Sequence, residues 1–242
     1  MEAVSHITLS HQTGLNRQMS TISNNIANVN TTAYREEDMM FEEVLQETQD
    51  GETGELSFNQ DVSTFYDLEK GPLKKTGNPL DVALNGEGYF TIQTEDGPRY
   101  TRDGAFMLDG NNELVTKEGR NVLDAQGNPI EVPENAQDIE IARDGTVSTA
   151  EEELGQLGIA TFENEQELEK RPNSLYAPGD QAPQGPDNPE IHQGMLEQSN
   201  VQPIKEMTTM MKVVSSYQSA QSMMDNDHQR QLRAIRTLVS EG

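Results

Sequence analysis

Glycine and proline are distributed so unevenly along this chain that they divide it into three parts. Residues 1–35 and 200–242 contain only Gly14, Gly242 and Pro203, whereas the other 17 of 19 glycines and 10 of 11 prolines lie between them. Helices tolerate neither residue well, and turns need both. All six phenylalanines also lie in the middle part. The pattern predicts a helix, then a turn-rich β domain with its own core, then a second helix.

The charge follows the same division. The chain has 17 Lys and Arg against 42 Asp and Glu, a formal net charge of -25. Residues 1–35 and 200–242 each carry +1, so residues 36–199, with 10 basic and 37 acidic residues, carry -27. Duplex nucleic acid and anionic membranes need clustered Lys and Arg, and both are therefore excluded as partners.

The composition also limits the chemistry that the chain can perform. It has no cysteine, which excludes disulfides, thiolate zinc sites and a thiol nucleophile. Its longest apolar runs are far shorter than the roughly 20 residues of a membrane span. The start of the chain does not resemble a signal peptide, which would have a basic segment and then an apolar one. We expect a soluble chain of about one or two domains.

Residues Val4–Ile26 predict a long amphipathic helix. Proline is absent between Val4 and Ile26, and the apolar residues recur at spacings of three and four, as on one face of a helix. Such a helix is marginal alone and needs a partner to cover its apolar face. The predicted apolar line consists of Val4, Leu15, Met19, Ile22 and Ile26.

The stretch after this line, Ser23–Tyr34, is crowded with Asn and Thr and reads SNNIANVNTTAY. These side chains compete for backbone hydrogen bonds, so they favour helix ends and turns. The simpler interpretation is a capped helix end followed by a loop. The alternative is that amides such as those of Asn28 and Asn30 bridge to neighbouring chains.

The last part of the chain predicts a second, longer helix that begins at Pro203, where a missing N–H costs nothing. From residue 203 to 239 it would be about 55 Å long, which is too long to lie across one small domain. Polar residues interrupt its first apolar line, and a second line lies beside it. The first line consists of Ile204, Met207, Met211, Val214, Leu232, Ile235 and Val239, and the second of Met210, Val213, Tyr217, Ala220 and Met224.

The middle part alternates short β-favouring runs with turn signals such as Asp96-Gly97 and Asp109-Gly110, which is typical of hairpins and antiparallel strands. Residues 177–189 predict an exposed loop. The candidate strands are Asp81–Leu84, Tyr89–Gln93, Arg99–Thr101, Phe106–Leu108, Glu113–Thr116, Asn121–Leu123, Ile139–Ala142, Thr146–Ser148 and Leu157–Phe162.

Candidate chemical sites find little support in the sequence. Asp109–Glu113 begins like a calcium loop but lacks the glycine and the distal acid of such loops, so a hairpin turn is favoured. Gly86 and Gly88 lack the third glycine of a phosphate-binding turn. The four histidines show neither zinc spacing nor a triad pattern. In so acidic a chain, carboxylates can pair by chance, so these residues leave acid-base catalysis open, but no motif points to catalysis, to a metal or to a cofactor.

Four motifs, in order, resemble those of the axial proteins of the bacterial flagellum, the family of rod, hook and hook-associated proteins. They are Ser23–Tyr34, Gly77–Phe90 (GNPLDVALNGEGYF), Tyr100–Phe106 (YTRDGAF) and Gly194–Val201 (GMLEQSNV) followed by Glu206-Met207. Ala33 stands where the family has glycine, so a left-handed backbone there would be costly. The length and the two ends most resemble proximal-rod members, with distal-rod members as the alternative.

The resemblance implies an α+β fold that is mainly β. Its paired long N- and C-terminal helices would form an inner coiled-coil layer, with a central antiparallel β domain outside. It divides the chain into a rod helix with its motif (1–35), an extended connecting region (36–75), the β domain (76–190) and the C-terminal motif with its helix (191–242).

The implied function is that of a non-enzymatic structural subunit of the basal-body rod, without metal or cofactor, which crosses the periplasm and transmits torque from motor to hook. Its partners would be copies of itself, other rod proteins and the flagellar type III export apparatus, through which it would pass without cleavage. The two apolar lines, Asn28 and Asn30 would form the assembly interface. A secreted carbohydrate- or calcium-binding β protein and a free chaperone are the alternatives.

Overall fold

The computed structural model describes the backbone of residues 2–47, 55–134, 136, 138–186 and 189–240. It describes the side chains of residues 9–40, 64–134, 136, 138–186, 189–226, 228–230, 232, 233 and 236. The chain forms two compact units. The helical unit comprises Met1–Asn28, Glu36–Asp67 and Val201–Gly242, and the β unit comprises Val29–Arg35 and Leu68–Asn200.

The helical unit contains the two helices and one β-hairpin. Helix α1 spans Glu2–Ala27 and helix α2 spans Pro203–Ser240, with Glu206 in the first turn of α2. Each helix begins and ends within two residues of its predicted bounds. An acidic residue in a first turn is favourable because it lies near the positive end of the helix dipole. None of the described helices is both long enough and apolar enough to cross a bilayer.

The hairpin lies within the predicted connecting region. Strands β1 (Glu37–Glu47) and β2 (Glu55–Tyr66) pair antiparallel, with a register shift between Glu42 and Glu43. Strand β1 reads EDMMFEEVLQE, which lacks the alternation of a half-buried strand, and periodicity therefore gave no strand here. The described α1 contacts both strands of this hairpin.

The β unit is built from short antiparallel strands. The strands are β3 (Leu73–Lys75), β4 (Val82–Leu84), β5 (Tyr89–Thr94), β6 (Gly97–Thr101), β7 (Phe106–Leu108), β8 (Leu114–Thr116), β9 (Glu140–Ile141), β10 (Thr146–Ser148), β11 (Glu153–Gln156), β12 (Ile159–Ala160), β13 (Glu169–Arg171), β14 (Leu175–Ala177), β15 (Ile191–Gln193) and β16 (Met195–Glu197). One sheet has five strands in the order β12-β5-β6-β14-β13, and another has three in the order β11-β10-β9. Three pairs complete the described sheets of this unit: β15-β4, β16-β3 and β7-β8.

The five-stranded sheet separates two buried clusters because side chains alternate between its faces. The larger cluster is aliphatic with two phenylalanines and includes Phe90, Ile92 and Leu175. The smaller cluster is largely aromatic and includes Tyr89, Tyr100 and Tyr176 on the opposite face. This core confirms the prediction that the phenylalanine-bearing middle part has its own compact interior.

Most predicted strands of the middle part are confirmed, and the mainly β composition with helices at the ends is confirmed with them. The predicted strand Asn121–Leu123 is wrong. These residues form isolated bridges to Val115, Ile92 and Pro129 instead of a continuous strand. The predicted turn at Asp109-Gly110 joins β7 and β8, with the Asp109 Oδ1 accepting from the N–H groups of Asn111 and Glu113, each at 2.8 Å.

Candidate assembly surfaces

The apolar line of α1 packs against α2. Leu15 and Ile22 are buried together with Val213, and the half-buried Met19 and Ile26 lie against them. These are four of the five predicted residues of the α1 line. The side chain of the fifth, Val4, lies outside the described residues.

On α2, the residues that meet α1 come from the second apolar line. Val213 is buried in the contact, and Met210 and Tyr217 pack against it. The face of α2 that packs against α1 is therefore its second apolar line, which continues past the polar residues that interrupt the first line. Sequence spacing did not distinguish the two lines, because they differ by only one helical position.

Most of the described residues in the first apolar line of α2 are exposed in the single chain. Ile204 is 81% exposed, Met211 66% and Met207 52%. Leu232 is also exposed, and Val214 is half-buried. The side chains of Ile235 and Val239 lie outside the described residues. This exposed methionine- and isoleucine-rich line is called the outer line of α2 below.

Asn25 links α1 to both other elements of the helical unit. Its Nδ2 donates to the backbone oxygen of Glu37 at 2.8 Å and to the Oε2 of Glu206 at 3.0 Å. Its Oδ1 accepts from the N–H of Glu37 at 3.0 Å. One amide therefore joins the end of α1, the start of β1 and the first turn of α2, with Asn25 and Glu206 both buried.

A second polar contact lies beside this amide. The Lys205 Nζ and the Glu36 Oε1 are 3.0 Å apart. The hydrogen bond to Glu36 raises the pKa of Lys205 above its ordinary value, although burial acts in the opposite direction. Among the residues with described side chains, Glu36 and Glu206 are buried carboxylates of this region, and each has a partner that donates to it.

The two predicted interface amides differ in position. The Asn28 Nδ2 donates to the backbone oxygen of Asn24 at 2.8 Å, which is the arrangement expected of a capped helix end. Asn30 is exposed. The amide that joins separate elements is that of Asn25, which sequence reasoning did not select. The signal was present in the paired Asn24-Asn25, but only one of the two faces inward.

In the β unit, Glu197 is the centre of a buried charged cluster. Its Oε1 lies 2.9 Å from the Arg35 Nη2, and its Oε2 lies 3.6 Å from the Arg102 Nη1. The Oε1 also accepts from the N–H of Gly71 at 3.1 Å. The three charged side chains are almost fully buried. We call Arg35, Arg102 and Glu197 the buried triad.

The buried triad joins three of the four motifs. Arg35 directly follows the first motif, Arg102 belongs to YTRDGAF, and Glu197 belongs to GMLEQSNV. The backbone adds to the link, because the Glu197 oxygen accepts from the N–H of Ala33 at 2.9 Å. The Arg35 guanidinium also donates to the backbone oxygen of Glu69. The three motifs thus meet in space although Arg35 and Glu197 lie 162 positions apart in the sequence.

The triad contains two positive charges and one negative charge, and the pKa of Arg102 is shifted in this environment. Burial lowers the pKa of Arg102 below its ordinary value, while Glu197 acts to raise it. Its guanidinium carbon lies 5.2 Å from the centre of the Tyr89 ring. The Nε and Nη1 of Arg102 have no hydrogen-bond partner within the described part of the chain. The ring face and Glu197 thus stabilise a cation that would otherwise be costly to bury.

The backbone at Ala33 is left-handed, with φ of 54°. Ala33 thus has the left-handed conformation that costs alanine more than glycine. Tyr34, the next residue, is buried, and the Lys170 Nζ lies 4.1 Å from the centre of its ring. The motif therefore ends in a strained turn fixed by Tyr34 and by the Ala33 hydrogen bond to Glu197.

Family models match the chain at both ends and in the centre. Residues 10–35 match the model described as flagella basal body rod protein. Residues 83–149 match the D1 domain of the flagellar hook protein FlgE/F/G, and residues 192–237 match the C-terminal part of the flagellar basal body rod FlgEFG protein. The matched class is that of axial structural proteins of the flagellum.

Relatives extend the similarity to almost the whole chain. A flagellar basal-body rod protein FlgF of Caulobacter vibrioides is 35% identical and one of Rhizobium meliloti is 32% identical, with 98% of both chains covered in each case. A flagellar basal-body rod protein FlgG of Bacillus subtilis is 33% identical over 84% of this chain and 86% of its own. The chain belongs to the flagellar basal-body rod protein family, and it is a structural subunit of the rod. The carbohydrate- or calcium-binding alternative is not favoured by these matches.

Proposed function

We propose that this subunit lies in the proximal rod and joins its neighbours through the outer line of α2. The proximal position is supported by the full-length similarity to FlgF proteins, which exceeds the coverage of the FlgG relatives. The contact is supported by one observation above all: Ile204, Met207 and Met211 remain more than half exposed after α1 and α2 have packed together.

A single chain leaves the apolar surface of Ile204, Met207 and Met211 in water. Fully burying a Leu, Ile or Met side chain stabilises an association by roughly 1.5–3 kcal/mol. Several such residues on one helix face therefore strongly favour association with a neighbouring subunit that buries them. The methionines suit this role because their flexible side chains adapt to packing surfaces that are not identical.

The two helices would then form the inner coiled-coil layer of the rod. The α1 line residues Leu15, Met19, Ile22 and Ile26 would hold each subunit's two helices together. The outer line would contact other copies and other rod proteins. Such contacts join two different surfaces, and an arrangement of this kind builds a helical assembly that does not close on itself.

The charge division fits this arrangement. Near-neutral terminal segments can pack closely in many copies, whereas the -27 of residues 36–199 favours solubility and limits early association. The remaining parts of the proposal come from the family: export through the flagellar type III apparatus without cleavage, a rod position within the periplasm, and torque transmission from motor to hook.

The test replaces one residue of the outer line with a charge. Met211→Asp should prevent rod completion and swimming, while circular dichroism of the purified chain shows an unchanged β unit. Ile22→Asp and Ile235→Asp should also stop swimming. Ser216→Asp, an exposed position on another side of α2, is the matched control and should swim. Normal swimming of the Met211→Asp strain would contradict the proposal.

A further inference from the structure

Methionine provides the most easily oxidised groups of this chain. The sequence has no cysteine and no tryptophan, so its 11 methionines carry all of its sulfur. A free thiolate would otherwise react with oxidants first. The effect of oxidation on this protein therefore depends on where its thioether groups lie. Five of them belong to α2: Met207, Met210, Met211, Met223 and Met224.

The methionines of α2 differ in exposure. Met207 and Met211 on the outer line are 52% and 66% exposed, whereas Met210 is half-buried against the contact between α1 and α2. Met207 and Met211 are four residues apart, so their side chains are neighbours on one face of the helix. An oxidant in solution therefore reaches two adjacent thioether groups of the outer line, while packing against α1 shields Met210.

Oxidation would change the character of this face. Hydrogen peroxide transfers one oxygen atom to a thioether sulfur, so that the sulfur loses two electrons and the peroxide is reduced to water. The product, methionine sulfoxide, is polar and chiral. A sulfoxide oxygen loses its hydrogen bonds to water when a neighbour covers it, which is costly unless a new donor replaces them. Two sulfoxides would therefore convert an apolar contact surface into a polar one.

The same modification should leave the helix pair of the free chain intact. Leu15, Ile22 and Val213 are the buried residues of the described contact between α1 and α2, and Met207 and Met211 are not members of that cluster. Their sulfoxides would remain in water as long as the chain is alone. The outer line can thus be modified without loss of the fold, which distinguishes a block of association from general oxidative damage.

We propose that Met207 and Met211 form an oxidation site whose sulfoxides prevent a free subunit from joining the rod. The inference rests on the proposed function, since it supposes that neighbouring subunits bury the outer line. The reactant is a small two-electron oxidant of the peroxide class, and an enzyme of the methionine sulfoxide reductase class would restore the site. Neighbours would shield both thioethers in the finished rod, so oxidation acts on subunits before they join.

The first experiment measures the order of oxidation in the purified full chain. The chain is treated with dilute hydrogen peroxide, catalase stops the reaction, and peptide mass spectrometry follows the gain of one oxygen at each methionine. Met207 and Met211 should be oxidised several-fold faster than Met19 and Met210, while far-ultraviolet circular dichroism stays unchanged. Met107 of the β unit, which is 47% exposed, is the comparison for exposure alone. Equal rates at the exposed and the half-buried positions would overturn the inference.

The second experiment asks which oxidised subunits enter the rod. The full chain accumulates in cells without methionine sulfoxide reductases, receives a brief pulse of peroxide that catalase ends, and only then is the rest of the rod induced. Sulfoxide at Met207 and Met211 should be depleted about tenfold or more in purified basal bodies relative to free subunits, because burial of each apolar side chain is lost.

Met107 is the internal control of the second experiment, because its sulfoxide lies on the same molecules but outside the outer line. It should occur in the same fraction in basal bodies and in free subunits. The inference is overturned if the sulfoxides of Met207 and Met211 enter basal bodies as often as that of Met107. General effects of peroxide on the cell cancel in this comparison, since all three positions are measured in the same two samples.

A pair of variants tests the site by removing its sulfur. Leucine keeps the apolar character and nearly the volume of methionine, so a chain with Met207→Leu and Met211→Leu should be incorporated equally before and after the pulse. A chain with Met107→Leu and Met223→Leu, two exposed positions off the outer line, is the matched control and should lose incorporation as the parent does. Equal losses for the two chains would also overturn the inference.

The two proposals can fail separately, because Met211→Asp tests the outer line without any oxidation. If Met211→Asp abolishes swimming and yet the sulfoxides enter basal bodies freely, the oxidation site is rejected and the outer line is kept. Normal swimming of Met211→Asp would reject the outer line, and with it the effect of oxidation on assembly, whatever the order of oxidation in the free chain.

Discussion

Asn25 and Glu206 lie 181 residues apart in sequence, yet a buried hydrogen bond of 3.0 Å joins the Asn25 Nδ2 to the Glu206 Oε2. The same amide also exchanges two hydrogen bonds with the backbone of Glu37. Asn25 is therefore the residue that fixes the end of α1, the start of the hairpin and the first turn of α2 to one another.

Replacing Asn25 tests this role. Asn25→Ala should destabilise the helical unit by about 2–4 kcal/mol, because it removes partners from a buried carboxylate and from two backbone groups. Thermal unfolding followed by circular dichroism at 222 nm measures the change, and amide exchange should accelerate at Glu37. Asn24→Ala, at an exposed position of the same motif, is the control and should cost less than about 0.5 kcal/mol. Equal effects of the two variants would contradict the assignment.

Removing the central charge of the buried triad should have a larger effect. Glu197→Gln leaves the guanidinium groups of Arg35 and Arg102 buried without a counter-charge, which should cost about 3–5 kcal/mol of stability. Urea unfolding of the β unit, followed by tyrosine fluorescence, provides the measurement. Glu151→Gln makes the same chemical change at an exposed position and should leave the midpoint unchanged. A Glu197→Gln chain as stable as the parent would show that the triad does not hold the motifs together.

A substitution in the strained turn at Ala33 should increase stability, whereas the substitutions above decrease it. A left-handed backbone costs a non-glycine residue roughly 1–2 kcal/mol, and glycine avoids this cost. Glycine is also more flexible in the unfolded state, which lowers the stability of the folded state by about 0.5–1 kcal/mol and offsets part of the gain. Ala33→Gly should therefore stabilise the β unit by up to about 1 kcal/mol, observed as a rise of a few degrees in Tm. Ala125→Gly, at an exposed position without positive φ, should not raise Tm. A fall in Tm for Ala33→Gly would contradict the strain.

Tyr89 predicts how stability depends on alkaline pH. Burial, followed by the nearby Glu165 carboxylate that accepts the phenol hydrogen bond at 2.9 Å, raises the pKa of Tyr89 far above its ordinary value. The folded state thus keeps a proton that the unfolded state releases above its pKa of about 10. Stability is fully present below about pH 10 and falls as the pH rises further, by up to about 1.4 kcal/mol per pH unit for this group.

Urea unfolding between pH 8 and 11 tests this dependence. Tyr89→Phe should be less stable than the parent at pH 8, because it lacks the hydrogen bond to Glu165, but its stability should decline less steeply above pH 10. Burial also raises the pKa of Tyr100, so some decline should remain in the variant. Parallel curves for the two proteins would show that the Tyr89 proton is not held by the fold.

The two helices and eight of the short strands, β4 to β10 and β12, could be predicted because local signals specify them. The short strands β3, β11 and β13 to β16 were not predicted. Pro203 marks the start of α2, and turn pairs such as Asp109-Gly110 mark hairpins. The β1–β2 hairpin was not predicted, because its acidic and apolar residues follow no period of two. Whether β1 and β2 form strands depends on the contacts between them, so the sequence of either strand alone does not indicate the pairing.

The candidate site was predicted less completely than the fold. Spacing selected Leu15 and Ile22 correctly as packing residues, but it could not tell which of two neighbouring lines on α2 would face α1. The buried triad was not selected either, since Arg35, Arg102 and Glu197 meet only after the chain has folded. Each is a charged residue inside or beside a family motif, which is the signal that could have pointed to burial with a partner.

The most direct test of the account asks whether the outer line of α2 is covered when the rod assembles. The chain has no native cysteine, so Met211→Cys places one reporter thiol on this line. The account predicts that a maleimide labels this thiol in the free chain and fails to label it in purified basal bodies from swimming cells. Equal labelling of the free and assembled protein would contradict the claim that neighbouring subunits cover this line.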